Sequence, residues 1–258
     1  MKALNHFSFL LLLSVFGLLI GCTEGKKADQ EGGEQTAASE ETVSEDEGWI
    51  VLFDGTSTEG WRGYGMNAMP SRWQIVDGAL YMPGSGRGEA GAEDGGDIIY
   101  DKKFKNFHLK LSWKIGEGGN SGIFYLGQES PEYDAIWQTA PEMQVLDKGH
   151  IDWNLGKDGN RQAGALYDLI PAVPQNAKPA GEWNDVEIIV YNGTVVHKQN
   201  GEQVLEYHLW TPKWEEMIAG SKFPEYNENW ANVASEGYIG LQDHGDDVWY
   251  KDIKIKEL

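Results

Sequence analysis

The stretch Phe107-His108-Leu109-Lys110-Leu111-Ser112-Trp113-Lys114-Ile115 decides how the chain folds. Phe107, Leu109, Leu111, Trp113 and Ile115 fall on one face; His108, Lys110, Ser112 and Lys114 fall on the other. A period of two sustained over 107–115 marks a strand with one buried side and one wet side. Working outward, similar short runs repeat, each closed by a turn signal. Ile50-Val51-Leu52-Phe53 stops at Asp54-Gly55, and Trp73 to Tyr81 breaks at Asp77-Gly78, as in a tight hairpin. Glu187 to Tyr207 holds Asn192-Gly193 and Asn200-Gly201. Asn-Gly supplies the positive φ that type I′ turns require, so this segment reads as a three-stranded meander. Residues 237–243 and 248–256 read as one more strand pair.

Helix signals are scarce. The best runs from Thr211, a capping residue, through Pro212 at the first helical position to Gly220. Residues 82–99 and 147–182 carry little periodicity, and loops of that length usually serve binding. No repeat and no domain boundary is visible after residue 48. Short strands with one apolar and one polar face predict an all-β sandwich of two antiparallel sheets with one short helix. One sheet can curve and offer an outer concave face to a ligand.

Composition narrows the partners. The chain has 258 residues, with 41 Asp plus Glu against 21 Lys plus Arg, a formal net charge of −20. Phosphate-backbone binding needs clustered cations, so nucleic acid is excluded. An acidic surface also repels anionic lipid, which leaves a neutral ligand as the easier partner. An aromatic content of 12% provides ample surface to bury and excludes a chain that is disordered throughout.

The N-terminal segment reads differently. Lys2 precedes an apolar run from Phe7 to Ile20 that is too short to span a bilayer comfortably, as in an export signal. It closes in Leu19-Ile20-Gly21-Cys22, which resembles the lipobox of bacterial lipoproteins. The resemblance implies a signal peptide over 1–22, lipidation of Cys22, and a lipid anchor in the cell envelope, periplasmic or at the outer membrane. Cys22 is the only cysteine, so intrachain disulfides and cysteine-based chemistry are excluded. Residues 23–47 are rich in Asp and Glu and contain no Leu, Ile, Phe, Trp or Tyr. Such a segment cannot offset its ordering entropy by burial and reads as a disordered acidic tether. The folded domain is expected over 48–258.

Three segments carry candidate chemistry. In Ala140 to His150, Glu142 and Gln144 share a strand face, and a bulge at Leu146 would return Asp147 to it. Carboxylates in such a row suit acid–base work on a sugar, although a plain solvent-facing strand would look the same. Gly118-Gly119-Asn120-Ser121-Gly122 permits close backbone approach, and Asn120 can bind hydroxyls; as a bare turn it would do neither. In Gly240 to Asp246, Gln242 and His244 share a face, and His244 is an acid, a base or a capped loop histidine. Asp243, Asp246 and Asp247 can contribute to a Ca²⁺ or other divalent site, although the EF-hand spacing is absent. No cofactor is required by any motif. Trp137, Trp153, Trp210, Trp214 and Trp230 can flank a cleft, while Trp113 and Trp183 are expected inside. Signatures of nucleotide-binding loops and of zinc or serine hydrolases are missing.

Taken in order, several segments resemble one family. They are Trp49-Ile50-Val51-Leu52-Phe53-Asp54-Gly55 with Gly60-Trp61, Trp73 to Leu80, Gly119 to Phe124, Glu142 to Asp147, and Gly181-Glu182-Trp183-Asn184. His197 with Asn200-Gly201, and Gly237 to Gly245, complete the set. Together they resemble the 3-keto-disaccharide hydrolase domain family over roughly residues 48–258. The resemblance implies a concanavalin A-like jelly roll acting on glycosides oxidised to a ketone at sugar C3. A ketone there acidifies the C2 proton, so a base can trigger β-elimination of the C1 oxygen, with water adding afterwards. On this reading Glu142 or Asp147 is the base and His244 the acid or enolate donor. Gln144, Asn120 and Gln242 orient hydroxyls, and Lys114 is an electrostatic stabiliser. The strand 142–147 is also similar to the E-x-D-x-x-E strand of laminarinase-type glucanases, but Gln144 and Asp147 depart from it. That departure speaks against an ordinary two-carboxylate mechanism. A conventional glycosidase on unoxidised glucan and a non-catalytic carbohydrate-binding lipoprotein are the competing readings.

Overall fold

The computed structural model describes residues 47–87 and 94–258, which form one compact unit. The expected signal peptide, Cys22 and all of the acidic tether but Glu47 lie outside the described residues. Among the described residues, no helix is long and apolar enough to cross a membrane.

The strand predicted from 107–115 is β6 (Phe107–Ile115), and its alternation is realised, with all five apolar side chains 3% exposed or less. It lies centrally in an eight-stranded antiparallel sheet. On one side β6 pairs with β9 (Asn184–Tyr191), which leads through β10 (Thr194–Gln199) to β11 (Glu202–His208). This is the expected meander, and Asn192 and Asn200 stand at φ 48° and 49° before their glycines. On the other side β6 pairs with β13 (Val248–Glu257). Next come β4 (Ala79–Met82) and β3 (Gln74–Val76), joined by the Asp77-Gly78 turn, while β1 (Trp49–Phe53) also pairs with β13.

The second sheet has five antiparallel strands: β2 (Trp61–Gly63), β5 (Ile98–Tyr100), β12 (Tyr238–Leu241), β7 (Asn120–Gly127) and β8 (Glu142–Leu146), in that order. The two sheets face each other across one core, in which Leu109, Leu111, Trp113, Ile123, Met143, Val145, Ile188 and Ile255 are buried. This is the jelly-roll sandwich expected from the sequence.

One pairing is corrected. The two C-terminal strands do not pair with each other: β12 belongs to the five-stranded sheet and β13 to the eight-stranded one. Residues 242–247 carry the chain between the layers, and carboxylates pin this crossing. Asp243 accepts from the Gly96 and Gly245 amides at 2.8 and 3.0 Å, and Asp247 accepts from the Gly84 amide at 3.0 Å. The predicted helix is α1 (Pro212–Ala219), with the Thr211 side chain accepting from the Trp214 amide.

Burial of His197 ties the layers together. Its Nδ1 lies 3.0 Å from the Gly164 carbonyl, which can only accept, so Nδ1 carries the proton. Nε2 therefore accepts from the Tyr125 hydroxyl at 2.8 Å, and Tyr125 accepts in turn from Tyr207 at 2.7 Å. Desolvation lowers the His197 pKa to about 4. An unfolded chain takes up this proton near the ordinary histidine value of about 6.5. Between those values the unfolded state binds a proton that the native state refuses, so stability falls as pH falls through the window. The loss reaches roughly 3 kcal/mol at its acid end. His197→Gln keeps one donor and one acceptor without that titration. Its urea-unfolding free energy should fall by about 2 kcal/mol less than that of wild type between pH 7 and 4.5. Equal pH slopes for the two proteins would refute this coupling.

Candidate active site

The outer face of the five-stranded sheet would ordinarily be wet. Here the chain returns over it. Residues 164–167 run beside the exposed edge of β8: Gly164 donates to the Gln144 carbonyl at 2.8 Å, Gln144 to the Ala165 carbonyl at 3.0 Å, and Tyr167 to the Glu142 carbonyl at 3.1 Å. The segment after α1 adds Lys222, Phe223, Tyr226 and Trp230, and a short 3₁₀ turn, Ile136–Gln138, adds Trp137. They enclose a cavity of about 160 Å³ that opens to solvent.

Its floor is polar. Glu142 and Gln144 come from β8, Asn120 from β7, Gln242 from the end of β12, and His244 from the crossing. Five of the residues singled out in the sequence therefore converge, from segments more than a hundred positions apart in the chain. Gln144 Nε2 donates to Asn120 Oδ1 at 2.9 Å, while its own Oε1 is buried without a partner. Gln242 Oε1 is likewise buried without a partner. Amide side chains such as these are suited to binding sugar hydroxyls.

Glu142 is 8% exposed, and its charge is felt around it. Burial chiefly, with the Glu142 charge adding to it, raises the pKa of Tyr125, Tyr167 and Tyr250. Room for the carboxylate comes from Gly122 on β7. A Cβ there would lie 2.2 Å from Glu142 Oε1 and 2.7 Å from Cδ. His244 is held at the rim, its Nδ1 3.9 Å from Asp246 Oδ2, and the same oxygen accepts from the Asn120 amide at 3.0 Å.

Two expected site residues lie elsewhere. The pairing of β7 with β8 runs from Phe124–Glu142 to Asn120–Leu146 without a shift, so the bulge expected at Leu146 is absent. Asp147 is not on the cavity wall; its Oδ2 accepts from the Gly118 and Gly149 amides at 2.8 and 3.0 Å and shapes the adjoining turns. Lys114 belongs to the outer face of the other sheet, with its ammonium 4.4 Å from the Trp249 ring and 5.1 Å from the Trp183 ring. Period two already assigned it to the polar face of β6, and that face points away from the second sheet.

Trp183 packs outside with Lys114 and Lys251, and not in the core. Of the tryptophans expected at a cleft, Trp137 and Trp230 line the cavity, Trp153 and Trp214 are buried, and Trp210 is 44% exposed. The carboxylates of Asp243, Asp246 and Asp247 each accept a backbone amide. Among the described residues no group of three or more His, Cys, Asp or Glu is arranged to hold a metal ion.

Tyr167, Lys222, Phe223 and Tyr226 line the cavity without having been singled out in the sequence. They sit in segments without periodicity. For Tyr167 the available signal was the length of the loop 147–182; Lys222, Phe223 and Tyr226, which follow α1, carried none.

A jelly roll with a polar, half-enclosed cavity on one sheet defines a small-ligand protein of the carbohydrate-active kind. Residues 48–256 match the 3-keto-alpha-glucoside-1,2-lyase-like domain, and the chain belongs to this family. A protein named 3-keto-disaccharide hydrolase from Bacteroides thetaiotaomicron is 49% identical over 276 aligned positions, covering 94% of this chain and 95% of that one. A crystal structure of a candidate glycosyl hydrolase from Parabacteroides distasonis superposes with a TM-score of 0.72 at 31% identity, covering 82% of this chain and 94% of the other. A second such structure from the same organism gives 0.61 at 26% identity, covering 81% and 99%.

Gly122 offers a direct test of how the carboxylate is placed. In Gly122→Ala the new methyl meets the far end of a side chain, so the fold gives way cheaply and the thermal midpoint should stay within about 3 °C of wild type. The carboxylate must move, and turnover that depends on Glu142 should drop by about 10²-fold. A fully active Gly122→Ala protein would show that this placement is immaterial.

Proposed function

We propose that the cavity binds a glycoside carrying a ketone at sugar C3 and breaks its glycosidic bond by elimination, followed by addition of water. One observation carries this reading: among the described residues, Glu142 is the single carboxylate lining the cavity. Hydrolysis of an unoxidised glycoside uses two carboxyl groups flanking the scissile bond. Elimination next to a ketone uses one base, because the carbonyl itself acidifies the C2 proton. The name of the Bacteroides relative supports the same substrate class.

In this mechanism the Glu142 carboxylate takes the C2 proton. The C2–H electron pair forms the C2–C3 double bond, and the carbonyl π pair moves onto O3. When that pair returns, the C1–C2 double bond forms and the C1–O bond breaks. His244 protonates the departing oxygen. Water then adds at C1 as a proton returns to C2, giving the free 3-keto sugar. Asn120, Gln144 and Gln242 orient ring hydroxyls from the cavity floor. Trp137 and Trp230 offer apolar faces to the ring.

We propose further that Cys22 is lipidated and anchors the domain in the cell envelope; the apolar run ending at Leu19-Ile20-Gly21-Cys22 supports this. Labelled palmitate should enter the wild-type chain and not Cys22→Ser, with the variant moving to the aqueous phase in a detergent partition. Label retained in Cys22→Ser would overturn the anchor.

On a 3-keto-glucoside, Glu142→Gln and His244→Ala should each lose at least about 10²-fold in kcat. Near-wild-type turnover in both would end the assignment. Cleavage of a plain β-glucoside at a comparable rate would point to a conventional glycosidase instead.

A further inference from the structure

The proposed elimination needs two oxygen partners besides the base. One holds the enolate at O3, and the other protonates the oxygen leaving C1. We propose that Tyr167, backed by Lys222, is the catalytic donor to O3, which leaves His244 to the C1 oxygen; this rests on the elimination reading above.

The Tyr167 amide donates to the Glu142 carbonyl, so Tyr167 is the neighbour of Glu142 on its outer side. On the inner side lies β7, where Gly122 leaves room for the carboxylate, and beyond it β12 leads to Gln242 and His244. The base thus stands between Tyr167 and His244, one strand spacing of about 4.8 Å from the first and two from the strand that leads to the second. In the sugar, C2 stands between C3 and C1 in the same way. A pyranose placed with C2 over Glu142 turns C3 toward one donor and C1 toward the other.

Charge decides which donor serves which atom. Lys222 Nζ donates to the Tyr167 hydroxyl at 3.1 Å and lies 4.4 Å from its ring centroid. An ammonium has no lone pair to accept with, so the phenol proton is directed elsewhere. Asp168 steadies Lys222 at 3.6 Å and is itself held by Arg161 at 2.5 Å, whose guanidinium carbon is 5.8 Å from the Tyr167 ring. A neutral hydroxyl hydrogen-bonded by an ammonium, with Asp168 offsetting part of the charge of Lys222 and Arg161, is suited to an oxygen that gains a negative charge and loses it again. Burial and the Glu142 charge keep that phenol protonated. Among the described residues the charged group within ion-pair distance of His244 is a carboxylate, that of Asp246. Its side chain is 25% exposed at the rim, where a departing group can leave and a proton can be replaced from solvent.

The test separates enolisation from cleavage. The 3-keto derivative of 1,5-anhydroglucitol has an acidic C2 proton and no exocyclic oxygen at C1 to expel, so exchange of that proton in D₂O, followed by NMR, reports enolisation without glycosidic cleavage. Wild type should exchange it. Tyr167→Phe and Glu142→Gln should exchange at least about 100-fold more slowly. Lys222→Met should lose most of the rate, and Lys222→Arg should keep more of it than Lys222→Met. His244→Ala should keep exchange within a few-fold while losing cleavage of a 3-keto-glucoside.

Wild-type exchange in Tyr167→Phe would overturn the assignment of O3 to Tyr167. So would exchange in His244→Ala falling as far as in Tyr167→Phe. Failure of the wild type both to exchange the analogue and to cleave a 3-keto-glucoside would overturn the elimination reading itself. Lys222→Met keeps the question answerable if Tyr167→Phe is poorly folded, because full exchange in Lys222→Met also contradicts the proposal.

Discussion

The outer face of the five-stranded sheet sets the main constraint on this molecule. It carries a carboxylate and three amides that are all 8% exposed or less: Glu142, Asn120, Gln144 and Gln242. Burying such groups is costly unless partners are provided. The fold provides some. The chain segment 164–167 pairs with the edge of β8, and Asn120 bonds Gln144. It leaves two unmet on this face, Gln144 Oε1 and Gln242 Oε1, as it does Trp113 Nε1, Asn184 Nδ2 and Gln199 Oε1 elsewhere.

The rest of the architecture serves that face. The eight-stranded sheet supplies a rigid layer of apolar side chains, and its outer surface is finished with lysine stems over tryptophan rings, such as Lys110 and Lys254 over Trp49. The buried chain from Tyr207 through Tyr125 and His197 to the Gly164 carbonyl links that layer to the loop bearing Leu166 and Tyr167. Support of this kind, far from the chemistry, keeps side chains in a narrow range of positions. Gly122 works in the opposite sense. It removes a side chain where the carboxylate must lie.

Much of the fold was legible because it rests on local rules. The alternation in β6, the Asn-Gly turns of the meander and the Thr-Pro start of α1 depend on neighbours in sequence, and each appears where expected. The false pairing of 237–243 with 248–256 shows the limit of such rules. Both runs are strands, but which sheet each joins depends on the crossing between them, and the Asp contacts that hold the crossing come from distant segments. The site divides in the same way. Glu142, Gln144, Gln242 and His244 stood out because strand parity shows which side chains share a face, and Asn120 because of the glycines around it. Asp147 was misread because a bulge inserted on paper is indistinguishable from a strand that simply ends.

By itself the sequence determined the strands of the eight-stranded sheet, the polar row on β8, the family resemblance and the acidic N-terminal segment, since composition and a period of two are properties of the chain alone. Only the tertiary structure decided that this row is covered and that Tyr167 and Lys222 stand beside it. It also decided that Lys114 faces the opposite side of the molecule. The physical reason is that a strand's two faces are equivalent until another layer packs on one of them, and an aperiodic loop has no face until it lands.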